Sequence, residues 1–175
     1  TTSPAIWNLK IPPRIQIFLW MLVNNKLLSR DNLSKRQEVS DPTCVFCSEQ
    51  ESCSHLFSAC AVAVEFWKAI CAITGVSEDI NMMSISSYRL RGDKFAATNT
   101  VHAAGLWAIW KTRNDMVFNN VCWPGLQAIW RRTTSILSTW ECLSSGCARD
   151  KLVWAMNVLE TKARSPPLLL WPDPG

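Results

Sequence analysis

The chain has 175 residues, of which 48% are hydrophobic and only 18% charged, enough for one domain or for two small ones sharing a partial core. The net charge of +4 is mild, and no stretch approaches the roughly 20 apolar residues that a membrane span needs, so no membrane partner is expected. Ten tryptophans stand against one tyrosine, a set read as large core anchors with some apolar surface left to face a partner.

In chain order, the segment Trp7 to Pro13 is expected to be extended, because Pro12 and Pro13 resist helix and push Ile11 toward β or polyproline geometry. Ile15, Phe18, Leu19, Leu22 and Val23 then recur at helical spacing and predict a helix from Ile15 to Leu28. Ser29 is placed to cap a second short helix through Arg36, with Leu33 pointing inward. Asp41-Pro42 marks a turn into a cysteine cluster. A further helix is expected over Ala61 to Ile73, carrying Val64, Trp67, Ala69 and Ile70 and closing on Gly75 in a left-handed cap.

Residues 76–98 show no sustained periodicity and are rich in Ser, Asn and Arg, as a linker or mobile loop would be. Thr98 or Asn99 caps the next predicted helix, which runs to Phe118 with Val101, Leu106, Ile109 and Trp110 along its apolar side. Trp123-Pro124-Gly125 breaks it. Leu126, Ile129, Trp130, Thr133, Ile136, Leu137 and Trp140 then trace the cleanest amphipathic stripe in the chain. Leu152, Val153, Met156 and Leu159 mark a last helix, and the proline-rich tail from Ser165 to Gly175 is expected to be irregular. The fold class that follows is mostly α: a small helical zinc-binding module at 1–75, a linker at 76–98, and a helical bundle at 99–175 ending in an irregular C-terminal tail. No internal repeat is evident.

The zinc expectation comes from cysteine spacing. Thr1 to Lys10 lacks a basic start followed by an apolar run, so a reducing intracellular setting, nucleus or cytoplasm, is expected, with thiols free or metal-bound. Cys44 and Cys47 form a C-x2-C pair, His55 follows after seven residues and Cys60 after four more. A C-x2-C turn sets two sulfurs one metal-ligand span apart, and an imidazole with a third thiolate closes the tetrahedron of one structural Zn²⁺. Four protein donors leave no open coordination position for water or substrate. The alternative is a set of merely buried cysteines, and Cys53, lying within the cluster, is a competing ligand. Cys71, Cys122, Cys142 and Cys147 lack partner spacing and read as core or surface thiols.

Three stretches carry a resemblance to a known family. These are Trp7 to Trp20 (WNLKIPPRIQIFLW), Leu27 to Leu33 with Arg36, and the cluster Cys44-x2-Cys47, Glu51 and His55-Leu-Phe-x2-Cys60. Together they resemble the zinc-binding domain that follows the polymerase in plant non-LTR (LINE-type) retrotransposon reverse transcriptases and in host genes derived from them. Leu106 to Phe118 (LWAIWKTRNDMVF) is similar to the segment after that domain. The resemblance spans residues 6–67 and 105–118. It implies Cys44, Cys47, His55 and Cys60 as ligands and a role in holding RNA or DNA near a polymerase. Relatives often carry proline after the first and last ligand cysteines, where Val45 and Ala61 stand here.

Two functions follow, neither catalytic. No Tyr/Phe-x-Asp-Asp polymerase motif or carboxylate set for RNase H is present, and His55 and His102 are the two histidines; no small-molecule substrate is expected. Residues 1–40 carry six basic side chains against two acidic ones, while the remaining 135 balance at twelve against twelve. That local excess points to a nucleic-acid partner, RNA or single-stranded DNA, with Lys10, Arg14, Arg30, Lys35 and Arg36 on phosphates and Phe46, or else Trp20, stacking on a base; the alternatives are an ordinary solvated face for the cations and packing beneath the metal site for Phe46. Trp20 is read as core. The second function is a protein-interaction surface on the aromatic-rich C-terminal helices and the Leu168 to Trp171 tail, rimmed by Lys111, Arg113, Arg131 and Arg132; here the alternative puts Trp107, Trp110, Trp130 and Trp140 in a core.

Overall fold

Pro13 opens a helix instead of blocking one. In the computed structural model, which describes residues 4–76 and 95–165, a short helix α1 (Pro4–Trp7) precedes a bend over 8–12, and α2 runs over Pro13–Val23. Pro13 takes the first helical position, where its missing N–H costs nothing and its fixed φ favours the helix. Trp7 is therefore helical rather than extended. α2 also stops short of Leu28. The Asn24 amide donates to the Trp20 carbonyl at 2.7 Å, and Asn25 takes a left-handed φ of 50°, the conformation asparagine tolerates best among residues with a Cβ.

α3 (Arg30–Ser34) is shorter than expected, and its Ser29 hydroxyl bonds the Asp31 carboxylate rather than a backbone N–H. Asn32, not Leu33, is the inward residue. Its amide donates to the Asn25 and Leu27 carbonyls, each at 2.9 Å, and so satisfies the turn that ends α2.

α4 (Ala61–Thr74) closes on Gly75 as read from the sequence, with φ 69° and the Gly75 N–H on the Cys71 carbonyl at 2.8 Å. Trp67, Ala69 and Ile70 face inward, whereas Val64 is exposed. α5 (Ala96–Phe118) begins ahead of Thr98 and Asn99, and it is not one-sided. Residues 100–106 are all buried. This helix packs on α2 and α4, and on the two helices that follow it, α6 (Leu126–Trp140) and α7 (Gly146–Arg164). Its small residues allow close approach: a Cβ on Gly105 would lie 2.9 Å from the fully buried Phe66 ring.

α6 buries Ile129, Trp130, Thr133, Leu137 and Trp140 and keeps Leu126 and Ile136 half-buried, so its stripe is the one read from sequence. α7 folds back on α6 across residues 141–145 and buries Leu152, Ala155, Leu159 and Ala163, leaving Val153 exposed. One hydrophobic core runs through the helices on both sides of residues 77–94. Phe18 of α2 sits 5.0 Å from the Trp107 ring of α5, and Trp107 and Trp110 are half-buried against this core. Most of the expected linker (76–98) and of the tail (165–175), with Leu168 to Trp171, lies outside the described residues. No strand is present among those residues, and no helix is long and apolar enough to cross a membrane.

His102 lies inside the α4–α5 contact, 5.4 Å from the Trp67 ring and 3.3 Å from the Thr74 hydroxyl. Burial pushes its imidazole down from 6.5 to about 4, so the folded chain keeps it neutral where the unfolded chain takes up a proton. Stability from this group is complete above pH 6.5 and falls as pH drops from there toward 4, by up to about 1.4 kcal/mol per pH unit. A His102→Leu variant is expected to show a shallower loss of stability than the parent between pH 7 and pH 5, measured by urea unfolding with zinc present.

A candidate metal centre tied to the helical core

The loop before α4 is folded by its own backbone. Thr43 and Gln50 form an isolated antiparallel bridge, the Cys44 N–H donates to the Glu49 carbonyl at 2.7 Å, and the Cys47 N–H turns back to the Cys44 carbonyl at 3.3 Å. The C-x2-C pair is thus held in a tight knuckle. Residues His55–Ala59 form one π-turn, in which the Cys60 N–H reaches the His55 carbonyl at 2.7 Å. An i→i+5 bond places residues five apart on one side. The H-x4-C spacing is the sequence form of that turn.

The result is a four-donor cluster. One ligand atom from each of Cys44, Cys47, His55 and Cys60 lies within 4.8 Å of the others. His55 Nε2 is 3.1 Å from Cys47 Sγ, and Cys60 Sγ is 3.8 Å from the same sulfur. The second ring nitrogen, Nδ1, lies 3.6 Å from the exposed Glu49 carboxylate, the outer contact that orients a metal-bound imidazole. Cys53 is not in the cluster; its thiol is buried 3.2 Å from the Ser29 hydroxyl. Cys71 is buried, and Cys122, Cys142 and Cys147 are exposed.

The donor chemistry fits a dication. Three thiols at this separation compete for one negative charge. Cys60 is pulled down to about 6 by its hydrogen bond with Cys44 and by the N–H groups of Val62 and Ala63 at the start of α4. Cys44 is pushed up by the same hydrogen bond and by burial, and Cys47 by burial first. A divalent ion removes the conflict by stabilising all three thiolates together. Three sulfurs and one nitrogen fill the tetrahedron of Zn²⁺, the geometry of a structural site.

Residues 2–67 match the family model for zinc-binding in reverse transcriptase. No curated protein and no solved structure matches the chain. The match contains every donor of the cluster, and the two together support a zinc-binding domain of this type over residues 2–67, with one structural Zn²⁺.

The basic residues read as phosphate contacts fare unequally. Lys10, Arg14, Lys35 and Arg36 are exposed. Arg30 is engaged instead, its guanidinium 2.6 Å from the Asp41 carboxylate and donating to the Asp41 carbonyl; its side chain is only 14% exposed. Phe46 is 5% exposed, its ring 5.1 Å from Trp123, so its face is used within the protein. The burial has a simple cause: the knuckle turns residue 46 beneath the loop that follows α5. Of the C-terminal rim residues, Arg131 is exposed although it donates to the Ala163 carbonyl, and Arg132 pairs with Asp115 at 2.6 Å.

Arg113 is the residue most at odds with its sequence reading. It is 1% exposed and forms a two-point pair with Glu51, Nε to Oε2 at 3.1 Å and Nη2 to Oε1 at 2.7 Å. Glu51 is 2% exposed and also accepts the Arg30 N–H at 2.8 Å. The guanidinium lies 5.2 Å from the Trp110 ring centroid. The zinc loop is thereby joined to α5 by a buried, doubly hydrogen-bonded ion pair. Glu51 and Arg113 stand 62 residues apart, and no local spacing in the sequence pairs them.

Two outcomes follow. Stripping zinc with a strong chelator, or replacing Cys47 with Ser, removes a contribution on the order of 10 kcal/mol, more than a domain's usual net stability; loss of helical circular dichroism and of the cooperative melt is expected, with metal analysis giving one zinc per parent chain. Glu51→Gln leaves the guanidinium buried without its counter-charge and is expected to cost about 3–5 kcal/mol, much of it recovered in a Glu51→Gln/Arg113→Met double variant, as read by denaturant unfolding at saturating zinc.

Proposed function

We propose that this chain is a non-catalytic structural-zinc module, derived from a plant LINE-type retroelement, that binds RNA or single-stranded DNA in the nucleus or cytoplasm. The observation that carries the reading is the charge of its N-terminal region. No acidic residue occurs from Thr1 to Arg30, and Lys10, Arg14, Lys26, Lys35 and Arg36 all reach solvent. Cations displayed on a rigid scaffold gain affinity for phosphates by releasing condensed counterions. Zinc supplies the rigidity, since Glu51, set between the second and third ligands, accepts the first N–H of α3. The metal itself is saturated by four side chains and takes no part in a reaction.

A protein-interaction role is the alternative, favoured by one observation: Trp154 on α7 is 54% exposed beside the exposed Val153.

Fluorescence anisotropy with a labelled single-stranded RNA is expected to show binding whose affinity falls with salt at a log–log slope between about −2 and −3.5, as three to five phosphate contacts dictate. Absent binding, or binding indifferent to salt, rejects the nucleic-acid reading.

A further inference from the structure

α2 has an outward face that the core does not use. Its buried residues, Ile15, Phe18, Leu19 and Leu22, lie on one side. On the opposite side, at helical spacing, stand Arg14, Ile17 and Trp20. Ile17 is 51% exposed. Trp20 is half-buried and is not among the side chains packed against the core. The ammonium group of Lys26, from the turn that follows, lies 4.7 Å from the Trp20 ring centroid.

The segment before α2 reinforces this face. Gln16 donates to the carbonyls of Trp7 and Leu9 at 3.3 and 3.0 Å, and Gln16 neighbours Trp20 one turn along the helix. That bond fixes Trp7, 46% exposed, and the exposed Lys10 beside α2. Aromatic faces and cations therefore alternate over one surface, with no carboxylate in the sequence through residue 30.

We infer that this face of α2 is a single-strand platform, with a base of RNA or DNA stacked on Trp20 and the flanking phosphates held by Lys10, Arg14 and Lys26. The assignment rests on the nucleic-acid reading above and specifies where the strand lies. Charge complementarity selects the occupant: a polyanion with accessible flat apolar faces matches interleaved cations and indoles, and base stacking on an aromatic is sequence-tolerant. A duplex keeps its base faces paired and stacked and meets the cations alone. The platform replaces Phe46, whose ring is already covered by Trp123. Trp20 falls within an apolar run of the sequence, but its place on the helix, one turn from Ile17 and away from Ile15, Phe18, Leu19 and Leu22, leaves it off the buried face.

The test uses the full chain with zinc bound and three probes: a labelled twelve-nucleotide oligouridylate, an RNA duplex of equal length, and vesicles of phosphatidylserine and phosphatidylcholine. Trp20→Ala is expected to weaken oligouridylate binding about tenfold or more, with little change for the duplex, and Trp20→Phe to restore most of it. Arg14→Ala is expected to lower the salt slope by about 0.7. Zinc content and melting temperature report on folding, and Arg14→Ala carries the test should Trp20→Ala be unstable. If the parent binds oligouridylate and neither the Trp20→Ala nor the Arg14→Ala variant changes that binding, the platform is wrong while the nucleic-acid reading stands. If the parent binds no nucleic acid, both fall. If the substitutions weaken vesicle binding alone, the face serves a lipid surface and the inference is overturned.

Discussion

The Glu51–Arg113 pair is the constraint through which the two ends of this molecule depend on each other. A guanidinium and a carboxylate that are almost wholly shut off from water are stable only while each supplies the other's charge and hydrogen bonds. Glu51 lies between the second and third zinc ligands, so the metal knuckle sets its position. Arg113 lies on α5, the helix against which α2, α4, α6 and α7 all pack. Order imposed by four donors on a short loop is thereby passed to α5, a helix that carries none of the four donors.

That coupling also bears on the short helices of the N-terminal region. α1 and α3 are only four and five residues long, below the length at which a helix sustains itself. Each is fixed by side-chain bonds to backbone: Gln16 to the end of α1, Asn32 to the turn after α2, and Glu51 to the first N–H of α3. Such bonds hold only if the groups that make them are already ordered. The knuckle, the π-turn and α4 supply the order.

The same scaffold divides surface from interior in a functionally useful way. Arg113 and Arg30 are consumed by carboxylates, and Phe46 by packing on Trp123. Lys10, Arg14, Lys26, Lys35 and Arg36 stay in solvent, in a region with no acidic residue before Asp31 and beside an outward helix face that carries Ile17 and Trp20. A basic count alone would have credited all of these residues equally. Their partners separate them.

The sequence by itself determined the zinc ligands, the helical class, the Gly75 cap and the stripe of α6, because each is written in local spacing: C-x2-C and H-x4-C for the metal, a 3.6-residue period for the helices, a glycine where φ must be positive. It misjudged features whose cause is non-local. α5 reads as one-sided but is buried all round, since the helices that enclose it come from both sides of residues 77–94. Arg113 reads as a surface cation because its counter-charge stands 62 residues earlier, and Phe46 reads equally as a stacking ring or a packed one because Trp123, which covers it, comes from the other half of the chain. Only the tertiary structure decides these, for a charge or a ring is hidden or displayed according to what distant segment arrives beside it, and no local periodicity encodes that arrival.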